Sequence, residues 1–557
     1  MMQRRATVVF VGLLIFFALA VGRLVQLQIV QADQWKTLAR RFQEGQIVGT
    51  QPRGYIYDRY GKILAHDLRA VSVAVDNYHI TRPDLLERLL STHLKISREE
   101  VREKLYRPGY FTWLARRVSP EQAANLERAL REAGARGVLF IDDWKRAYPQ
   151  KSLASNLIGF AGVDGQGLEG IELGFDDLLR GEETVWSVVR RADGAEIRRR
   201  LVREGRPGGD LFLTVDARIQ QLAESALERG VRTYKAQAGF ALVLNPWTGE
   251  ILAMAQSNTY DLNRFQRSRP EARKNLPVVY AFEPGSSFKI FTMLAALEAG
   301  VIRPTERVSG SATIQIAHHI FRNSEQINYG MVTPAGVIKD SINTGMIRIA
   351  QRLGENALFT YLQRFGFGQE TGVELPGEIS GSLAPVKNWS ALEIGAIAIG
   401  QSVAVTAIQM ASRVAAIANG GQLLKPRVVK AVRGRDGGVQ PTKLETMGRI
   451  ASEESCRQLT AMMIEAVRDG TGILAQIEGV TVAAKTGTAQ KAVPGKGYVK
   501  GKFVASFVGF FPAEAPRYVV VIVLDEPGGR EYYGGLTAAP IFKEIALGLL
   551  YLDRLRQ

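Results

Sequence analysis

The feature that most constrains this chain is an uncharged apolar run near its amino terminus, ATVVFVGLLIFFALAVG, which follows MMQRR and precedes Arg23. Its length sits near the lower limit for crossing a bilayer, about 17 to 25 residues. It extends through LVQLQIV if Arg23 snorkels to the interface. Arg4 and Arg5 precede the run, so the positive-inside rule keeps the tip in the cytoplasm and exports the rest. A cleaved signal peptide is the competing reading, with Ala18-Leu19-Ala20 as an A-x-A site. The run exceeds a typical signal h-region and no loose spacer follows, which favours a retained anchor.

An exported chain can hold disulfides, yet there is one cysteine, Cys456, so no internal bridge exists and the fold must stand on its core. Cys456 falls at helical spacing with Leu459, Met462 and Met463, as a small packing residue would. The adjacent His318 and His319 cannot share a face of a helix or strand, and no HExxH or spaced Cys/His set occurs. Neither a metal nor another cofactor is expected. The balance of 71 Lys+Arg against 55 Asp+Glu, a net +16, suits an anionic polymer, membrane or nucleic acid. No RNP, zinc-finger or helix-turn-helix signature favours nucleic acid, and the basic residues are scattered.

The 557 residues suggest two or three domains. After the apolar run, GQIVGTQPRGYIYDRYGKILA alternates like strands broken by turns. RPDLLERLLSTHL and SPEQAANLERALREAG have helical periodicity, and REGRPGGD, residues 203–210, has linker or hairpin composition. AGFALVLNPWTGEILAMA predicts a β-hairpin. Residues 282–421 read as mostly helical. VTVAAKTG, KFVASFVGFF and RYVVVIVLDE predict three more strands, and PIFKEIALGLLYLDRL a last helix. Strands at both ends of a region with helices between them predict an α+β fold, one antiparallel sheet with helices on both faces.

The stretch that invites chemistry is EPGSSFKIF, residues 283–291. Pro284-Gly285 should break the preceding structure, and FKIFTMLAALEAG should form a helix with Ser286 at or just inside its start. Ser286 and Lys289 are i,i+3 and share a face, whereas Ser287 and Lys289 point about 200° apart. Alone, S-x-x-K is weak: about one or two arise by chance in a chain of this length, and a helix cap with a surface lysine explains it. Two further motifs follow in order: SIN, Ser341 to Asn343, and KTGT, Lys485 to Thr488, at the end of a strand candidate.

S-x-x-K, S-x-N and K-T-G in this order resemble the signature of penicillin-binding proteins and class A β-lactamases. RGYIYDRYGKILA is similar to the RGxIxDRxGxxLA box of class B penicillin-binding proteins, through Arg53, Gly54, Ile56, Asp58, Arg59, Gly61, Leu64 and Ala65. GLEGIELGFDDLLRG, residues 167–181, resembles a later box of the same module, and YYGGLTAAPIF, residues 532–542, the segment before that family's last helix. The resemblance covers nearly the whole chain. It implies a cytoplasmic tail (1–5), a transmembrane anchor (6–29), a dimerisation or pedestal domain (30–205) and a transpeptidase domain (206–557), without a glycosyltransferase domain.

The activity implied is peptidoglycan D,D-transpeptidation through a serine acyl-enzyme, with β-lactams as covalent inhibitors. In the roles the resemblance implies, Ser286 is the nucleophile and Lys289 its base. Ser341 relays a proton, Asn343 fixes Lys289 and the substrate, and Lys485, Thr486, Gly487 and Thr488 serve the terminal carboxylate. The implied partners are stem peptides with D-Ala-D-Ala donor and amine acceptor, the membrane, a SEDS-family glycosyltransferase, and division or elongation complex proteins; no nucleic acid is implied. The compact pedestal and the absence of repeated carboxy-terminal modules favour a septal role over an elongation role. The pedestal boxes argue against a hydrolytic carboxypeptidase or β-lactamase. The short tail argues against a membrane β-lactam sensor or scaffold.

Overall fold

The computed structural model describes residues 2–36, 44–108, 111–190, 196–493, 497–529 and 531–555. Contacts divide the chain into two compact units: Met1–Pro52, Arg69–Lys145 and Gly181–Gly208 form one, and Arg53–Leu68, Arg146–Arg180 and Gly209–Gln557 the other.

The first unit begins with the apolar helix Met2–Val25, which runs on as a π-helical turn, Gln26–Val30. Phe10, Leu13, Phe16 and Phe17 on it are all exposed. A helix that is apolar all round and uncovered needs an apolar surrounding, and Arg4–Val30 is long enough to cross a membrane. The strands Glu44–Thr50, Glu183–Arg190 and Glu196–Arg203 make a three-stranded antiparallel sheet. A separate core of Val73, Val75, Leu86, Leu90, Leu126 and Leu130 forms where three helices pack beside the later part of the strand Ile63–Val75. Two of those helices, Pro83–Leu94 and Pro120–Glu132, are the ones the periodicity predicts. Ser119 caps the latter by accepting from Gln122 N–H, with Pro120 in the first turn.

The second unit is built on a five-stranded sheet that is antiparallel throughout. Its elements are α1 (Ala217–Thr233), β1 (Ala238–Leu244), β2 (Ile251–Gln256), α2 (Lys289–Glu298), α3 (Asn343–Leu353), α4 (Ala407–Ala418), α5 (Glu453–Arg468), β3 (Ala483–Val493), β4 (Gly497–Phe511), β5 (Tyr518–Asp525) and α6 (Gly534–Arg554). The strand order is β2-β1-β5-β4-β3. β1 and β2 are the predicted hairpin, turned by Asn245, whose side chain accepts from Trp247 N–H, and by Gly249 at φ +66. β5, YVVVIVLD, is buried along its whole length because helices cover both faces of the sheet. On one face α1 and α6 enclose Ile219, Leu227, Phe507, Ile522, Phe542 and Ile545. On the other, α4 packs on β1, β4 and β5. The last helix starts at Gly534 rather than at Pro540, which sits inside it. Its apolarity reflects this half-buried seat in the core.

The RGYIYDRYG box also lies in this unit, where it is a clamp. Arg53 is buried and donates to Glu172 at 2.8 and 3.0 Å and to Asp176 at 2.5 Å. Arg146 reaches the other oxygen of Glu172 at 2.6 Å. Two guanidinium groups thus share one fully buried carboxylate, the arrangement a buried charge requires. Asp58 closes its own turn by accepting from Tyr60 and Lys62 N–H, each at 2.8 Å, and accepts from Ala217 N–H at the start of α1. Arg59 pairs with Glu250 at 3.2 Å.

Candidate active site

Ser286 does not open an α-helix. Gly285–Phe288 is a 3-10 turn, and α2 begins at Lys289, whose N–H bonds to Ser286 O. Residues i and i+3 eclipse in that geometry, so Ser286 stands over Lys289 more directly than an α-helix would place it. Ser286 is half-buried, while Ser287 and Lys289 are fully buried. Ser287 is a strut: its hydroxyl donates to Pro284 O at 2.7 Å and accepts from Ser506 Oγ at 3.3 Å.

Lys289 projects from the first turn of α2 into a polar nest. Its Nζ donates to Ser341 O at 2.5 Å, to Ser341 Oγ at 3.2 Å and to Asn343 Oδ1 at 2.7 Å. These partners are a carbonyl, a hydroxyl and an amide oxygen, none of them charged. Burial, and then the nearby Lys485 ammonium, hold the Lys289 amine well below its ordinary range. Lys485 is also fully buried, and burial lowers it to about 7. Its Nζ donates to the same Ser341 hydroxyl, at 2.9 Å. The two lysines therefore meet at one oxygen, where their mutual repulsion favours losing a proton from one of them.

Ser341 takes that place through its backbone. It sits at φ +56, a left-handed conformation that costs a non-glycine residue about 1–3 kcal/mol. Asn343 opens α3, and its Nδ2 donates to Arg322 O at 2.8 Å, which orients its Oδ1 toward Lys289. Lys289, Ser341, Asn343 and Lys485 are thus brought together from segments distant in sequence, and Ser286 precedes Lys289 by one 3-10 turn.

β3 carries Lys485 to Thr488 and lies at the edge of the sheet, paired among the described residues with β4 alone. An edge strand offers backbone groups to an extended ligand. Gly487 lets the Gly285–Phe288 turn seat against that strand. A Cβ there would lie 2.2 Å from Ser506 Oγ, 2.6 Å from Pro284 O and 2.9 Å from Ser287 Oγ. Thr488 is half-buried, and its Oγ1 accepts from Gly534 N–H at 3.0 Å. Thr486 is buried; its Oγ1 accepts from Lys485 at 3.3 Å and bonds Thr471 Oγ1 at 3.0 Å.

Several residues of this site have no signal in the motifs. Glu283 accepts from Ser402 N–H and from the Tyr498 hydroxyl, each at 3.1 Å, and so links the segment before Ser286 to β4. Gly285 N–H donates to Gly400 O at 2.9 Å. Glu283 stands in the same EPGSSFKIF stretch, yet its partners lie more than a hundred residues away. Cys456 is buried within α5, and burial pushes its thiol up to about 12. Among the described residues no cluster of His, Cys, Asp or Glu could hold a metal ion.

A fold of one antiparallel sheet between helices, with two buried lysines on one serine hydroxyl beside a KTG edge strand, defines the serine penicillin-recognising class. The comparisons agree. The model of the penicillin-binding protein transpeptidase domain matches residues 239–547, and that of the penicillin-binding protein dimerisation domain matches residues 49–213. Stage V sporulation protein D of Bacillus subtilis is 33% identical over 98% of this chain and 84% of its own length. Peptidoglycan D,D-transpeptidase FtsI of Escherichia coli is 31% identical over 97% of this chain and 90% of its own length. The crystal structure of penicillin-binding protein 3 of Mycobacterium tuberculosis complexed with aztreonam superposes with a TM-score of 0.72. It is 28% identical and covers 91% of this chain and 97% of its own. The chain belongs to the class B penicillin-binding proteins, and its enzyme class is D,D-transpeptidase.

Proposed function

We propose that the chain cross-links peptidoglycan stem peptides through an acyl-enzyme on Ser286. The observation that carries this reading is the convergence of Lys289 and Lys485 on Ser341 Oγ, with Ser286 one 3-10 turn ahead of Lys289. Neutral Lys289 takes the hydroxyl proton as Ser286 Oγ attacks the penultimate D-Ala carbonyl. Backbone N–H groups of Ser286 and Thr488 stabilise the oxyanion, by about 2.7–4 kcal/mol per donor. Ser341 passes the proton to the departing D-Ala amine, and Asn343 keeps Lys289 aimed. Lys485, Thr486 and Thr488 bind the terminal carboxylate, beside the close approach that Gly487 allows. An acceptor amine then attacks the ester, yielding the new amide and restoring the serine. β-Lactams acylate the same serine and stop there.

The pedestal (30–205) and transpeptidase (206–557) divisions draw support from family models that fall on 49–213 and 239–547, and the anchor (6–29) from the apolar helix Arg4–Val30. The arginines ahead of the apolar helix support a cytoplasmic tip and an extracytoplasmic catalytic domain in the cell membrane. The compact pedestal supports a septal role beside a SEDS-family glycosyltransferase and division proteins. A fluorescent fusion concentrated at division sites agrees with that role; uniform lateral signal opposes it.

Labelling with a fluorescent penicillin tests the mechanism. Labelling is lost in Ser286→Ala and largely kept in Ser287→Ala; labelling that survives Ser286→Ala sinks the assignment.

A further inference from the structure

Thr471 lies in DGTG, between α5 and β3, outside the three motifs. Thr471 is an exposed residue whose hydroxyl accepts from Thr486 Oγ1 at 3.0 Å and faces Lys339 O at 3.5 Å. Thr486 is in turn bonded to Lys485, through its carbonyl at 3.1 Å and its hydroxyl oxygen at 3.3 Å. An ammonium can only donate, so Thr486 Oγ1 must accept from Lys485. The single Thr486 proton is then directed at Thr471. Without that acceptor the hydroxyl would be free to turn.

The Thr471 turn is wedged in place from several sides. Thr471 N–H donates to Lys339 O at 3.2 Å, two residues ahead of Ser341. A Cβ on Gly470 would lie 2.6 Å from that same carbonyl, and a Cβ on Gly535 would lie 2.3 Å from Thr471 O. The turn thus joins the SIN segment, the KTGT strand and the start of α6. Such close backbone packing defines where the Thr471 hydroxyl stands.

We infer that Thr471 is a positioning residue for the carboxylate end of the substrate, acting through the Thr486 hydroxyl. The inference rests on the reading that Lys485, Thr486 and Thr488 hold that carboxylate. Its chemistry is specific: the hydroxyl proton of Thr486 is parked on Thr471 until an anion arrives, and the carboxylate then competes for it.

The test compares the full-length protein with Thr471→Val, Thr471→Ala and Thr471→Ser, using benzylpenicillin and its methyl ester. Acylation is read as the loss of later labelling by a fluorescent penicillin. Removing one hydrogen-bond partner lowers the second-order rate with benzylpenicillin about fivefold in Val and Ala, while Ser stays within twofold. The ester has no carboxylate, so its slower reaction changes less than twofold in every variant. Equal losses with acid and ester, or no loss with the acid, overturn the inference. The separate Ser286→Ala control reports on the nucleophile, so failure of the underlying mechanism is told apart from failure of this role.

Discussion

Gly487→Ala is the sharpest perturbation of the site because it adds one methyl group where the Gly285–Phe288 turn meets β3. That methyl would lie 2.2 Å from Ser506 Oγ, 2.6 Å from Pro284 O and 2.9 Å from Ser287 Oγ. Ser506 can swing away at the expense of its bond to Ser287, which is 3.3 Å long. The Pro284 carbonyl is backbone and cannot, so strand and turn must part by roughly 0.5 Å or more. Overpacking of this kind costs about 1–3 kcal/mol of stability. Since a misplacement of about 1 Å can cost on the order of 10²-fold in rate, acylation should fall at least about tenfold. The assay is the second-order rate with a fluorescent penicillin, paired with thermal unfolding. The double variant Gly487→Ala/Ser506→Ala removes the nearest contact but keeps Pro284 O, so it should regain stability without regaining rate. A Gly487→Ala protein that melts normally and reacts within twofold of wild type would refute the claim that this glycine seats the turn.

Other outcomes follow from burial and charge. Burial lowers Lys485 from its usual 10.5 to about 7, so between those pH values the unfolded chain binds more protons than the folded one. Stability should therefore rise with pH through that window, by up to about 1.4 kcal/mol per pH unit, and Lys485→Met should flatten the rise. Equal slopes in the two proteins would count against a depressed lysine. Arg53→Met strands the buried Glu172 and the half-buried Asp176 and should cost about 3–5 kcal/mol in guanidinium unfolding, less whatever Arg146 recovers; a loss below about 1 kcal/mol contradicts the clamp. Cys456, buried and with its thiol near 12, should resist maleimide in the native protein and react fully once unfolded; rapid native labelling contradicts its burial.

Local pattern made much of the catalytic unit legible. The alternation around Asn245 to Gly249 marks a hairpin, and the apolar runs ending in KTGT and LDE mark strands covered on both faces. Helical spacing already separates Ser286 from Ser287. What stayed hidden depends on chain segments far apart in sequence. The 3-10 form of the Gly285–Phe288 turn follows from its seat between Gly400 and Gly487. The structural work of Ser287 needs Ser506, and the contact of Thr486 with Thr471 needs the DGTG turn. The RGYIYDRYG box reads as strand and turn, but its first arginine, Arg53, is spoken for by Glu172 and Asp176, more than a hundred residues on.

The most direct measurement is the site of acylation. After reaction with benzylpenicillin and tryptic digestion, the peptide spanning residues 275–289 holds both serines of EPGSSFK and can be fragmented by mass spectrometry. The account predicts the added penicilloyl mass on Ser286, in stoichiometric yield, with Ser287 unmodified. An adduct on Ser287, or on any residue outside this peptide, contradicts it.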